Sequence, residues 1–329
     1  MKIFAFDPAE YAQQFADQGF VHIQNGIDPG FLAELREYSQ RSLEATKLDA
    51  FAIKGKKEQS LYEFPDGVEF PGEIFDTVAS VCGLNRPTMT LSERHIQAYE
   101  ANANANPQAH KDRFPSQISV GFSIDIPAES TLVLYPYDNQ ELNPFNKAAA
   151  LIQSLQPHQL PEVVLKDARE VAIDDQPGDV VMFHGSTTWH LRRNAARAVN
   201  LYVKLNDFDY DPLGEDPSTA ARRERTLEIM GNGGQSQLGD RVPAVSRRLD
   251  FISRQYAPHG YHESLHAVLY GGEPFGLTQA QLELLQVADG QRTLDGVVDQ
   301  VADGRDRPAE AVRQDAITLL ERGALDLVN

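Results

Sequence analysis

The sequence predicts an α+β protein whose core is a barrel or jelly roll of short strands, with helices before it and a small helical domain after it. Three changes of pattern lead to this prediction. Helical spacing of apolar residues dominates as far as residue 83, a period of two runs from about residue 88 to residue 203, and helical spacing returns near the C-terminal end. Many short strands separated by turn residues are typical of barrels and jelly rolls.

Three helices and one strand are predicted before the barrel. The first helix covers 8–20, the second begins at Pro29 with an apolar stripe, and the third covers 72–83. Between the first two, Phe20–Ile23 has the composition of a short strand. The polar segment 45–72 is expected to be a loop or lid.

Seven segments with a period of two follow these helices. They are Thr90–Ser92, Ile96–Tyr99, Ile118–Ile124, Thr131–Tyr135, Glu170–Ile173, Val180–Phe183 and Ala198–Val203. An insert at 139–168, rich in Asn, Gln and Pro, interrupts them and is expected to be a long functional loop.

The chain divides into three predicted regions, which are a barrel domain at 1–210, a helical connector at 211–271 and a small winged-helix-like domain at 272–329. Residues 244–270 of the connector are expected to be helical. In the last region the helices are predicted at 278–288, 293–302 and 308–322, with a strand within 323–328. Three short helices followed by a strand have the outline of a small winged-helix domain.

Charge and composition exclude several classes of partner. The 48 acidic and 30 basic residues give a net charge of -18, which repels phosphate backbones and anionic lipid. We therefore expect neither a nucleic acid nor a membrane as partner. With Cys82 as its one cysteine, without a leader pattern and without an apolar window of membrane length, the chain is expected to be cytoplasmic.

Three residues carry the chemistry that the sequence predicts. His110 and Asp112 are two apart on an extended segment, so both side chains point the same way and can reach one metal ion. His190 stands at the far end of a hydrophobic strand that follows the turn at Gly178. Two histidines and one carboxylate form the facial triad of non-haem iron(II) oxygenases, which leaves three positions open for a 2-oxo acid and O₂.

An arginine is expected to complete this site. Arg197 follows the next turn and can clamp the distal carboxylate of a 2-oxo acid through paired hydrogen bonds. Arg192 and Arg193 compete for this role, although their place in the predicted turn favours exposure to solvent or contact with the substrate. His184 competes with His190 for the metal, but its position after a strand favours a packed histidine.

The stretch from Gln97 to Tyr202, together with Phe15–Val21, resembles the phytanoyl-CoA dioxygenase-like branch of the 2-oxoglutarate oxygenases. The resemblance implies a double-stranded β-helix, or jelly roll, with N-terminal helices against one sheet. It also implies the following roles: iron binding by His110, Asp112 and His190, anchoring of 2-oxoglutarate by Arg197, and a hydrogen bond to it from Tyr99. The family usually places this arginine farther from the distal histidine than the seven residues found here.

Other polar residues have less defined roles. Arg113 and Gln117 lie beside the metal segment, where contact with substrate and an ordinary loop position are equally open. His262 and His266 are four apart on a predicted helix, but structural roles are favoured because no partner ligand follows them.

The C-terminal region bears on the substrate. Residues 272–329 carry 11 acidic and 5 basic residues, which argues against DNA as a ligand. The region loosely resembles small peptide-binding winged-helix domains such as the peptide chaperone of PQQ biosynthesis. A recruiter of peptides and a structural or dimerising cap are both consistent with it.

The predicted function is hydroxylation of an unactivated C–H bond by an Fe(II)- and 2-oxoglutarate-dependent dioxygenase that uses O₂. The expected substrate is a small molecule or a natural-product intermediate. The alternative is a hydroxylase of peptide or protein side chains, in which the C-terminal domain recruits the substrate or forms a homodimer. A third hypothesis is a non-catalytic β-barrel binding protein in which the His-x-Asp pair is incidental.

Overall fold

The structure is a computed structural model that describes residues 1–45, 57–65, 70–233, 238–256 and 263–328. The chain separates into two compact units, Met1–Asp209 and Tyr210–Asn329. Within the described ranges, none of the helices has the length and the apolar composition that a membrane crossing needs.

The three helices predicted in the N-terminal part of the chain are present. They are α1 (Ala12–Gln18), α2 (Pro29–Ala45) and α3 (Phe70–Cys82), and the turn before α1, Pro8–Glu10, is a separate 3₁₀ helix. Gly19 ends α1 in the left-handed region at φ 74°, and its N–H donates to the Phe15 carbonyl at 2.8 Å. Asp28 begins α2, because its carboxylate accepts from the N–H of Gly30 at 2.8 Å.

Two antiparallel sheets form the first unit. The larger has the order β1-β7-β4-β9-β3-β2, and the smaller has the order β6-β5-β8. The strands are β1 (Phe20–Ile23), β2 (Lys57–Leu61), β3 (Thr90–Tyr99), β4 (Ile118–Asp125), β5 (Thr131–Tyr135), β6 (Val171–Ile173), β7 (Val180–Phe183), β8 (Trp189–Arg193) and β9 (Val199–Asn206). Both sheets contribute to one apolar cluster, made of Phe20, Leu132, Leu134, Ile173, Val181 and Phe183. The two sheets therefore face each other, consistent with the predicted jelly roll.

The larger sheet has an apolar outer face, and its inner face is apolar at β1 and β7 but polar at β3, β4 and β9. Its outer residues, such as Phe122 and Leu201, share a core with Phe31 and Leu35 of α2. On the inner face, residues of β4, β9 and β3 meet in three rows. These rows are Ser119–Lys204–Glu93, Gly121–Tyr202–His95 and Ser123–Asn200–Gln97. This alternation follows from the period of two along each strand, and it lines the interior with polar groups.

Two predicted loops differ from the structure. The segment 45–72 contains strand β2, which pairs with β3 at the edge of the larger sheet, while 46–56 and 66–69 lie outside the described residues. The insert 139–168 contains two short helices, α4 (Ala148–Ser154) and α5 (Pro161–Val164). Its Leu151 and Leu165 are buried with Trp189 and Leu191 of β8, so apolar burial orders the insert against the smaller sheet.

The second unit mixes helices and strands. Its elements are α6 (Pro217–Gly233), β10 (Pro243–Val245), β11 (Leu249–Tyr256), β12 (Glu263–Leu269), β13 (Phe275–Leu277), α7 (Gln279–Val287), α8 (Leu294–Arg305), α9 (Ala309–Glu321) and β14 (Leu325–Leu327). The three helices and the last strand of the C-terminal region are confirmed. Thr278 and Gln281 form the capping box that starts α7.

The prediction of a helical connector over 244–270 is wrong. Strands β11, β12 and β13 form an antiparallel sheet in that order. Leu265 and Ala267 are buried while Ser264 is exposed, which is the alternation of a half-buried strand. His266 therefore lies on a strand, and His262 lies outside the described residues.

The packing of α2 on the larger sheet can be tested by truncating one buried leucine. Leu35 is fully buried in that core, so Leu35→Ala should lower the free energy of unfolding by about 2 to 5 kcal/mol. Leu142, which is 47% exposed, is the matched control, and Leu142→Ala should change it by less than about 0.5 kcal/mol. Urea titrations monitored by circular dichroism make the comparison. Equal effects of the two variants would contradict the assigned core.

Candidate metal centre

The structure brings His110, Asp112 and His190 together. Each residue offers one ligand atom, and the three atoms lie within 4.8 Å of one another. Asp112 and His190 are buried, and His110 is half-buried. The group lies where the segment before β4 meets β8, because His110 and His190 exchange two backbone hydrogen bonds of 2.9 Å.

His190 is held in the orientation that metal binding requires. Its Nδ1 lies 2.9 Å from the carbonyl oxygen of Thr188, which can only accept, so Nδ1 carries the proton. The lone pair is then on Nε2, which lies 3.8 Å from Oδ1 of Asp112. The ring of Phe183 packs against the imidazole edge to face, with ring centroids 4.8 Å apart. A backbone acceptor behind the ring is the usual support of a metal-binding histidine.

Asp112 is fixed at both carboxylate oxygens. Lys204 donates to Oδ1 at 2.7 Å, and the hydroxyl of Ser119 donates to Oδ2 at 2.6 Å. Burial by itself would raise the pKa of Asp112, but Lys204 and the two histidines outweigh it and hold the pKa well below its usual range. The carboxylate is therefore ionised, as a metal ligand must be.

A second buried carboxylate lies behind the centre. Glu93 accepts from Nε of Arg113 at 2.6 Å and lies 3.3 Å from Nζ of Lys204. Burial by itself would raise the pKa of Glu93, but the opposing effect of these two cations is larger and the pKa is lowered to about 2. Of the two residues left open as substrate contacts, Arg113 is thus buried in an ion pair, and Gln117 accepts from the backbone N–H of Asp207.

The arginines differ from the sequence-based expectation. Arg197 is exposed in the turn before β9, with φ 68°, and its N–H donates to the carbonyl of Tyr99. The prediction that Arg192 is exposed is wrong, since only 4% of it is accessible. Arg192 lies on β8, two residues after His190, so both side chains lie on the same face of the strand. Arg193 is half-buried and pairs with Glu170.

Arg192 belongs to a buried polar group that the sequence did not reveal. Asp175 is fully buried and accepts from Nη1 and Nη2 of Arg192 at 2.9 and 2.8 Å. The hydroxyl of Ser123 donates to the same carboxylate. Tyr99 and Tyr202 interact electrostatically with Arg192, and burial raises the pKa of Tyr202 to about 12, so its phenol stays protonated. The spacing of two between His190 and Arg192 was the available signal.

The competing histidine lies apart from the metal group. The ring of His184 packs on Phe15, with centroids 4.9 Å apart, and burial lowers its pKa. It is not one of the three residues whose ligand atoms converge. This is the packed position that the strand context favours.

Lys111 ties the metal segment to the insert. Its Nζ donates to the carbonyls of Asn139 and Glu141 at 2.6 and 2.5 Å, and it lies 4.9 Å from the ring centroid of Trp189. Burial lowers the pKa of Lys111 to about 8, against the opposing effect of Glu141. The insert therefore reaches the backbone that carries His110 and Asp112.

Comparisons with known proteins place the chain near several solved structures. No family model matches the chain, and no curated protein matches it. The carbocyclase SnoK from nogalamycin biosynthesis, described as non-haem and α-ketoglutarate dependent, has a TM-score of 0.47 and 16% identity over 60% of this chain and 83% of that chain. EvdO2 from Micromonospora carbonacea var. aurantiaca, complexed with 2-oxoglutarate, has a TM-score of 0.43 and 14% identity over 62% and 92%. A prolyl-4-hydroxylase from Pseudomonas putida has a TM-score of 0.42 and 14% identity over 60% and 98%.

The close approach at Gly185 provides a test of how Asp112 is held. A Cβ at Gly185 would collide with the hydroxyl of Ser119 and lie 2.8 Å from Oδ2 of Asp112. Gly185→Ala should therefore displace Ser119 from the carboxylate and weaken Fe(II) binding by about tenfold or more. Gly231→Ala is the control, because no atom lies within 4 Å of a Cβ there. Anaerobic calorimetric titration with Fe(II) measures both, and equal affinities would contradict the assigned support.

Proposed function

We propose that this chain is an iron(II)- and 2-oxoglutarate-dependent oxygenase, in which His110, Asp112 and His190 bind the metal. The observation that carries the proposal is the convergence of two imidazoles and one ionised carboxylate within 4.8 Å inside a jelly-roll barrel. This donor set fits Fe(II) and leaves positions for a chelating 2-oxo acid and O₂. Iron bound there, with O₂ and the 2-oxo acid, would supply the oxidation of a C–H bond.

The buried charges support a doubly negative co-substrate. Among the described residues, three buried cations pair with three buried carboxylates near the metal group, namely Lys204, Arg113 and Arg192 with Asp112, Glu93 and Asp175. Their charges cancel, so Fe(II) alone would leave two positive charges in a buried site. Because uncompensated buried charge is costly, the site favours a dianion beside the metal, and 2-oxoglutarate is one.

The residues of the chain bind, orient and exclude water. Lys204 and Ser119 fix the Asp112 carboxylate, and Thr188 holds the proton of His190 at Nδ1. Apolar side chains of both sheets close the interior beside His190. The proposed substrate is a small molecule or natural-product intermediate with an unactivated C–H bond, as in the phytanoyl-CoA dioxygenase-like branch.

Replacing Asp112 tests the proposal. Asp112→Ala removes the one carboxylate ligand, so we expect Fe(II) affinity to fall by more than about 100-fold. Succinate formation from 2-oxoglutarate in the absence of substrate should be lost with it. Asp125→Ala is the control, because Asp125 is exposed at the end of β4. Unchanged Fe(II) affinity in Asp112→Ala, in a variant with the wild-type circular dichroism spectrum, would leave the non-catalytic barrel as the better hypothesis.

A second candidate is a hydroxylase of peptide or protein side chains. It is favoured by the sheet β11-β12-β13, in which β13 has no second partner strand among the described residues. An extended peptide can add a strand to such an edge. A groove of about 400 Å³ adjoins it, lined by residues that include His266, Gly276 and Gln279. In this candidate the second unit recruits the substrate, and the winged-helix and homodimer predictions belong to it.

Shortening the chain distinguishes the two candidates. All the metal-site residues lie within Met1–Asp209, so a chain ending at Asp209 should bind Fe(II) and 2-oxoglutarate with wild-type affinity. Under the first candidate this chain keeps its activity on a free small molecule. Under the second, its KM for a peptide substrate rises while the affinity for Fe(II) does not change. Loss of Fe(II) binding in a folded short chain would contradict the placement of the site in the first unit.

A further inference from the structure

We infer that Arg192, held in place by Asp175, binds the distal carboxylate of the 2-oxo acid. This inference rests on the proposed function and identifies the part of the site that selects a dicarboxylate. The carboxylate is thus bound by an arginine on β8, two residues after the metal ligand His190, and not by Arg197 in the turn before β9.

Arg192 has two guanidinium nitrogens engaged by Asp175 and a third, Nε, that is buried without an acceptor in the described part of the chain. Asp175 takes Nη1 and Nη2 at 2.9 and 2.8 Å, and the hydroxyl of Ser130 lies 3.3 Å from Nη1. Nε is buried and has no hydrogen-bond partner among the described residues. A guanidinium can hold a second carboxylate along the edge formed by Nε and one terminal nitrogen. Since a buried N–H without an acceptor is unfavourable, this edge is suited to an anionic ligand.

The position of the pair in the barrel fits a ligand that also reaches the metal. In the inner-face rows, Ser119 and Lys204 hold Asp112, and Ser123 holds Asp175. The two serines are four positions apart on β4, a span of about 13 Å. Gly121 lies midway and leaves that row without a side chain on β4, where a Cβ would lie 3.1 Å from the ring of Tyr202. The acid and the arginine side chain together can cross this span.

The surroundings of Arg192 are suited to a carboxylate. Tyr99 and Tyr202 both interact with its guanidinium, and burial raises the pKa of each phenol, so both keep a proton to donate. This agrees with the role predicted for Tyr99 as a hydrogen-bond partner of the co-substrate. Asp175 is a positioning residue, because it acts through the orientation of Arg192.

The other buried or nearby cations are less suited to this role. Lys204 is engaged by Asp112 at 2.7 Å and by Glu93 at 3.3 Å. Arg113 is paired with Glu93, and Arg197 is exposed to solvent. Arg192 combines burial, an Nε without an acceptor among the described residues and a shared strand face with His190.

The experiment compares two acids that differ in the distal carboxylate. Anaerobic Fe(II) protein is titrated with 2-oxoglutarate and with 2-oxobutyrate, and the visible charge-transfer band of the iron chelate reports binding. In the wild type, 2-oxoglutarate should bind at least about tenfold more tightly than 2-oxobutyrate. In Arg192→Met its affinity should fall by about 10- to 100-fold, while the affinities for Fe(II) and 2-oxobutyrate stay unchanged.

Matched variants keep the result interpretable. Arg192→Lys retains the charge without the planar fork, and Arg192→Met combined with Asp175→Asn removes both charges, so that no buried carboxylate is left unpaired. Both should lose the preference for 2-oxoglutarate. Arg193→Met and Arg197→Met are controls on the same segment and should keep it.

Two results would overturn the inference. One is a preference for 2-oxoglutarate that survives in the folded Arg192 variants, and the other is a preference that disappears in Arg197→Met instead. A wild-type protein that binds Fe(II) but does not prefer 2-oxoglutarate would also refute it, and it would leave the metal triad intact. Failure of the wild type to bind Fe(II) is seen before any acid is added, and it would refute the proposed function as well.

Discussion

Two backbone hydrogen bonds between His110 and His190 join parts of the chain that are 80 residues apart, and the metal group depends on this junction. The junction is an isolated antiparallel bridge, so the segment before β4 pairs with β8 without forming a long strand. Asp112, two residues further on, donates its N–H to the carbonyl of Gly185 at 2.9 Å, which fixes the second point of contact. The ligands are therefore positioned by backbone pairing, which side-chain motion does not disturb.

The interior of the barrel carries paired charges where an apolar core would be more stable. Burying an ion pair gives little net stability, and removing one partner leaves a costly unpaired charge. The pairs Lys204–Asp112 and Arg192–Asp175 lie at two levels of the same inner face. We interpret them as a cost in stability that fixes the orientation of the side chains proposed to bind the metal and the co-substrate.

The spacing of apolar and polar residues along the chain explains which features could be predicted from the sequence. His110 and Asp112 were recognisable because a spacing of two on an extended segment aligns their side chains whatever the rest of the fold. Most of the barrel strands were predicted to within a few residues, since their alternation reflects the faces of the sheets. Strand β3 was predicted as two segments and β2 was expected to be a loop. His190 was expected at the far end of the strand after Gly178, but that strand ends at Phe183 and His190 lies on the separate strand β8. Tertiary pairing had no such local signal. Arg192 was assigned to a turn because β8 is longer than its apolar residues suggest, and β11 and β12 were taken for a helix because only one short stretch of β12 alternates.

The residues on the inner face of β9 determine which strand can supply a cation for the distal carboxylate of a 2-oxo acid. Its inner face offers Asn200, Tyr202 and Lys204, and Lys204 is already engaged by the carboxylates of Asp112 and Glu93. A second cation for the far end of a dianion must then come from another strand. The adjacent wall is the smaller sheet, where Arg192 of β8 lies on the same face as His190 and is steadied by Asp175, two residues beyond the end of β6. Strand β8, which supplies His190 to the metal group, can thus also select the length of the 2-oxo acid that binds there.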